Sequence, residues 1–150
     1  MELLSELQHT YEQTLPYFDL EEGKLGLTYG PGKWNVQELL HHIVDAETVM
    51  YDRIRRTLSK PGQVIWGFDQ NAWVTGLDYN VRPLSLSKQM YTAVRANIQY
   101  LAESHYAQAS DYTFVHSETG LRTLKDEFDK VGWHNAHHLR QIRQALELGI

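Results

Sequence analysis

The chain of 150 residues has no cysteine, which excludes disulfides and thiolate metal sites and leaves His, Asp, Glu and water as possible ligands. It has no apolar run long enough to span a bilayer, so we expect no membrane-spanning segment. It also has no block of basic residues, and its net charge is −5, which argues against nucleic-acid binding. The N-terminal sequence MELLSELQHT does not follow the pattern of a signal peptide, and we expect a cytoplasmic protein.

The composition is that of a folded domain. Hydrophobic residues make up 42% of the chain and aromatic residues 11%, enough apolar surface to offset the entropy lost on ordering. The length suits one domain over residues 1–150.

Four segments show the apolar spacing of amphipathic helices. They cover residues 2–18, residues 36–58, a stretch that starts at Ser85 or Ser87, and residues 123–148. Asn35 with Glu38, and Thr123 with Asp126, form N-terminal capping patterns for the second and fourth helices. Four long helices with little strand pattern predict an all-α four-helix bundle.

The connection from residue 59 to residue 84 is long and has no sustained period. Connections of this length are uncommon in compact domains unless they have a function. Its large apolar side chains are Trp66, Phe68 and Trp73. They could form one wall of a lid over a site, or they could seal one end of the bundle.

Histidine placement is the most informative feature of the sequence. His134 and His138 are four residues apart, so they lie one turn apart on one face of the fourth helix, and two such imidazoles can chelate a metal with a third ligand from another helix. His137 points away from that face. On the second helix His41 and His42 lie at opposite edges of the apolar arc, and periodicity does not choose between them.

Glu47 projects into the middle of the apolar arc of the second helix, where a carboxylate needs a partner. A metal, a metal-bound water or a ligated His could supply it, and so could Arg95 or a Tyr hydroxyl in a purely structural network. Asn135 also points inward, and could orient a ligand or a water. His9, His105 and His116 are predicted to lie at the surface.

Two stretches resemble the DinB/YfiT-like superfamily. Residues 33–47 (KWNVQELLHHIVDAE) resemble the start of its second helix and place His42 in the ligand position. Residues 133–142 (WHNAHHLRQI) resemble its last helix, whose ligands correspond to His134 and His138. Further matches are Phe68-Asp69 and Trp73 in the long connection, Arg95 in the third helix, and His116 with Gly120. Two departures stand out: Asn lies at position 35, where Ser is commoner in the family, and the chain is at the short end of the family's lengths.

The resemblance implies a bundle, often a homodimer, that binds a divalent metal such as Zn, Ni or Fe through His42, His134 and His138. Members are assigned as metal-dependent hydrolases or as thiol S-transferases that use a low-molecular-weight thiol, each acting on a small-molecule substrate, and many have no known reaction. Such a metal can activate either water or a thiol. Glu47 or Asp45 would then serve as the catalytic base or as an acceptor beside the metal. The alternative is a non-catalytic, stress-related binding or regulatory bundle with a structural or vestigial metal site.

Trp133 projects away from the core side of the fourth helix. An exposed Trp beside the site suggests a dimer contact, although packing under a loop would explain it equally well.

Overall fold

The computed structural model describes residues 1–149 and confirms the four-helix bundle. The long helices are α1 (Glu2–Thr14), α3 (Val36–Ser59), α5 (Leu84–Ala109) and α6 (Leu124–Leu148). The shorter elements are a 3₁₀ turn (Leu15–Asp19), α2 (Glu22–Leu25), β1 (Val64–Ile65), α4 (Gln70–Gly76), β2 (Thr113–His116) and β3 (Gly120–Thr123). Among the described residues, no helix is both long and apolar enough to cross a membrane.

The helix boundaries follow local chemistry. The Asn35 side chain accepts a hydrogen bond from the Glu38 backbone N–H, and the Glu38 side chain accepts one from the Asn35 N–H, which fixes the start of α3. Thr123 and Asp126 form the same reciprocal pair at the start of α6. The first helix ends at Thr14 and continues only as a 3₁₀ turn, because Pro16 has no N–H to extend the α-helical pattern.

The sequence pattern does not predict the three strands of the structure. β2 and β3 form an antiparallel hairpin, and β1 adds to β2 in parallel, with Ile65 paired to His116. Gly120 has a φ of +82° at the start of β3, a left-handed conformation that glycine adopts without steric cost. The segment between α5 and α6 is therefore mostly a hairpin packed on the bundle.

Two groups of buried apolar side chains fill the bundle. One joins α1, α3, α5 and α6 around Leu7, Ile54, Ile98 and Phe128. The other joins the segment around Phe18 to α3 and α6 through Leu40, Ile43 and Ile142. The helices α3 and α6 pack against each other, and this contact brings the two histidine motifs together.

Candidate metal centre

The structure brings His42 of α3 together with His134 and His138 of α6. One ring nitrogen from each lies within 4.8 Å of those of the other two. The Nε2 atoms of His42 and His134 are 3.1 Å apart. Two nitrogens that bind one zinc ion tetrahedrally at the usual bond length lie about 3.3 Å apart. Two of the three imidazoles are therefore already at about the separation that a shared metal requires.

His41 lies outside this cluster, and its hydrogen bonds explain why. Its Nε2 donates to the carbonyl oxygen of Arg82 at 3.0 Å, and its Nδ1 lies 2.7 Å from the Ser87 hydroxyl. Because a carbonyl can only accept, Nε2 carries the proton and Nδ1 accepts from Ser87. Both nitrogens are thus occupied, and the adjacent His42 faces the α6 pair. Periodicity could not make this choice, because it depends on partners from another part of the chain.

Burial keeps the three clustered imidazoles neutral. Loss of solvation, and then the neighbouring His138, lowers the pKa of His42 to about 3. Loss of solvation and the two nearby histidines lower the pKa of His134 to about 2. Loss of solvation also lowers the pKa of His138 to about 4, against the opposing effect of Gln141. Neutral imidazole is the form that binds metals.

The facing Nε2 atoms of His42 and His134 fit a shared cation. The Nδ1 atoms of His42 and His134 are buried and have no hydrogen-bond partner among the described residues. If both carry protons, two Nε2 lone pairs face each other at 3.1 Å. If one Nε2 carries the proton instead, the Nδ1 of that ring becomes a buried acceptor without a donor. A cation shared by the Nε2 atoms removes the lone-pair conflict.

His138 is held in the tautomer that a ligand needs. Its Nδ1 donates to the side-chain oxygen of Gln141 at 2.7 Å, which leaves the Nε2 lone pair free. Trp34 packs its ring 4.7 Å from the ring of His42 and 6.4 Å from that of His138. The sequence reading did not single out Gln141, although its position three residues after His138 places it within reach on the same helix face.

A cleft of about 340 Å³ opens beside His138. Its other walls include Tyr29, Lys33, Trp34, Gln70 and Asn71. Gln70 and Asn71 begin α4, so part of the connection between residues 59 and 84 borders the cleft. Trp66, Phe68 and Trp73 are not among the residues that line this cleft. Trp66 is 79% exposed, and Phe68 and Trp73 contact each other at 4.6 Å between ring centroids.

Glu47 and Asp45 have partners other than the three histidines. Glu47 is fully buried and forms an ion pair with Arg95, the structural alternative left open by the sequence. Burial raises the pKa of the Glu47 carboxyl, and the Arg95 guanidinium opposes that rise. Asp45 accepts a hydrogen bond from the Tyr79 hydroxyl at 2.6 Å and lies 3.4 Å from Arg82. Among residues 1–149, the cluster of metal-ligating groups contains neither carboxylate.

The prediction that His116 lies at the surface is wrong. It is 8% exposed, and its Nδ1 accepts hydrogen bonds from the backbone N–H groups of Glu118 and Thr119. This arrangement shapes the turn of the hairpin. Trp133 is exposed, as predicted, and its ring stacks on that of His137 with centroids 5.6 Å apart.

The amino-acid sequence is similar to those of known proteins. A sequence model described as the DinB superfamily matches residues 6–142. A protein of Oceanobacillus iheyensis is 32% identical over 127 residues, which cover 85% of this chain and 73% of the relative. One of Halalkalibacterium halodurans is 28% identical over 127 residues, which cover 85% of this chain and 74% of the relative. Both are provisionally named as metal-dependent hydrolases.

The fold matches that of YfiT from Bacillus subtilis, with a TM-score of 0.89 and 21% sequence identity. The match covers 99% of this chain and 86% of YfiT, which is described as a probable metal-dependent hydrolase with an unusual four-helix bundle topology. At this identity the likeness establishes the arrangement of the helices.

Proposed function

The chain belongs to the DinB superfamily, and we propose that it is a metal-dependent hydrolase of a small molecule whose divalent metal is held by His42, His134 and His138. The observation that carries the proposal is the convergence of three neutral imidazoles, two of which, His42 and His134, face each other with their Nε2 atoms 3.1 Å apart. The provisional names of the relatives support the same reaction class.

A divalent metal with open coordination positions lowers the pKa of a water molecule and polarises the bond to be broken. The protein would contribute the ligands, the orientation of His138 through Gln141, and the cleft that receives the substrate. We do not assign a base role to Glu47 or Asp45, because each is engaged with another part of the bundle. Their proposed role is to hold α3 in place against α5 and the segment before it.

Transfer of a low-molecular-weight thiol is a second reaction that the same site could support. The chain has no cysteine, so a low-molecular-weight thiol would have to enter as a second substrate. The homodimer and the cytoplasmic location stay predictions from the sequence. The choice among Zn, Ni and Fe also stays open, because imidazole suits all three.

The test is the metal content of the untagged protein, measured by elemental mass spectrometry. We expect about one metal per chain in the wild type and in the His137→Ala control, and loss of the metal in His42→Ala and His138→Ala. The control removes a histidine next to the cluster but not in it. A wild-type chain that is empty and refuses added Zn, Ni and Fe would overturn the proposal and favour a non-catalytic binding module.

If metal binds, removing it with a chelator separates two roles. A nearly unchanged melting temperature indicates a functional metal, and collapse of the fold indicates a structural one. Ester and amide substrates with and without an added thiol then distinguish hydrolysis from thiol transfer.

A further inference from the structure

A smaller cavity of about 120 Å³ borders the histidine cluster at His134. It is lined by Ala46, Met50, Arg53, Phe68, Gln70, Lys130 and His134. One of these residues belongs to the cluster, and two of them are cationic. No carboxylate is among the lining residues.

Arg53 lines this cavity and has one hydrogen-bond donor without a partner. The residue is 3% exposed, and its guanidinium contacts Glu127 at 3.2 Å. Its Nε atom is buried and has no hydrogen-bond partner within residues 1–149. Leaving a buried donor unsatisfied is costly, and the planar guanidinium is suited to oxygen atoms of carboxylates and phosphates. The unpaired donor indicates a place for an anionic ligand.

Lys130 adds a second positive charge. It lies one turn before His134 on α6, so the two side chains share a helix face. Within the described chain its ammonium has no ion pair. Burial, together with Arg53 and Arg122, lowers the pKa of Lys130, while Glu127 opposes the shift. Two cations thus face the cavity with one buried carboxylate, Glu127, to balance them.

We propose that this cavity binds an oxyanion group of the substrate, a carboxylate or a phosphate, and that the substrate is therefore an anionic small molecule. The volume equals that of about four water molecules at ~30 Å³ each, which suits one such group with a few attached atoms. Gln70 lines both this cavity and the larger cleft, while His134 borders the first and His138 the second. If the anionic end of a substrate lies beside Arg53 and the rest of the molecule lies in the cleft, the substrate is in contact with the histidine cluster.

The assignment to a substrate rests on the proposed function, whereas anion binding by the cavity does not require a metal. The first experiment is therefore calorimetric titration of the full-length, metal-free protein with sodium acetate and with inorganic phosphate at constant ionic strength. Acetamide serves as the neutral counterpart of acetate. We expect one site per chain for at least one anion and no binding of acetamide.

Lys130→Met is the main variant, because it removes the charge and leaves the Arg53–Glu127 pair intact, whereas Arg53→Met would strand a buried carboxylate. We expect it to weaken anion binding about tenfold or more, as loss of a charge-assisted hydrogen bond implies. Lys130→Glu should abolish binding. Lys125→Met is the matched control, an exposed lysine of the same helix outside the cavity, and should leave the affinity unchanged.

The inference is overturned if neither anion binds to the wild type, or if Lys130→Met binds as the wild type does. Preference for acetate or for phosphate supports it and identifies the group. Uptake of added Zn, Ni and Fe by the same metal-free preparations, measured afterwards, keeps the two proposals apart. Anion binding without metal uptake supports the anion site and contradicts the hydrolase proposal. Metal uptake without anion binding supports the hydrolase proposal and contradicts the anion site.

Discussion

The ion pair between Glu47 and Arg95 leads to a sharp prediction about stability. All five N–H groups of the Arg95 guanidinium are used: two on Glu47, and one each on the Leu7 carbonyl, the Thr10 hydroxyl and the Asn135 side-chain oxygen. One residue of α5 thereby connects α1, α3 and α6. Both charged side chains are essentially inaccessible to water, at 1% and 0% exposure.

Glu47→Gln removes one charge at nearly constant shape and leaves the guanidinium uncompensated. Breaking a buried ion pair in this way costs about 3–5 kcal/mol of unfolding free energy. At roughly 2–4 °C per kcal/mol for a domain of this size, the melting temperature should fall by about 6–20 °C. Urea denaturation gives the free energy and a thermal scan gives the temperature.

Asp52→Asn is the matched control, because Asp52 pairs with Arg56 on the exposed side of the same helix. It should cost no more than about 1 kcal/mol. A Glu47→Gln protein as stable as this control would refute the reasoning about the buried pair. Glu47→Gln should also still bind one metal per chain, and loss of metal with intact stability would instead restore the role beside the metal that the sequence predicted.

Three further changes probe the site and its surroundings. Gln141→Leu removes the partner of the His138 Nδ1 atom, and metal affinity from a competition titration should fall about 10–100-fold; an unchanged affinity would mean that the hydrogen bond does not orient the ligand. Asn35→Ala removes the cap of α3 and should lower the free energy of unfolding, measured by urea denaturation, by about 1 kcal/mol. An unchanged free energy would mean that packing alone holds the start of the helix. Tyr79→Phe removes the hydrogen bond to Asp45 and should speed amide hydrogen exchange in residues 69–83 selectively, whereas a uniform change would contradict a local anchoring role.

The helices and the paired histidines could be predicted because both depend on local spacing. An interval of four residues places His134 and His138 on one face in any α-helix, and the capping patterns at Asn35 and Thr123 are read from adjacent residues. The choice of His42 over His41 came from the resemblance to a family, and its physical reason lies in Ser87 and Arg82, more than 40 residues away.

What the sequence did not yield are contacts between distant segments. Strands of two and four residues are too short for a convincing period. The turn glycine Gly120 after the run TFVH was the only local sign of the hairpin. The apolar spacing predicts that the Glu47 carboxylate points into the bundle, but it does not select Arg95 from the several possible partners. Arg53 and Lys130 are 77 positions apart in the chain and meet only once α3 packs on α6.

The bundle and its connections contribute different parts of the site. The proposed ligands come from α3 and α6, whose facing sides are fixed by close packing, while Tyr29, Trp34 and Gln70 come from segments outside the four long helices. Connections tolerate change more readily than packed helices. The walls around the histidines are therefore the part of the site that can change most readily. The histidine cluster points to a reaction class, and the substrate of this chain must be sought through the groups that its own walls present.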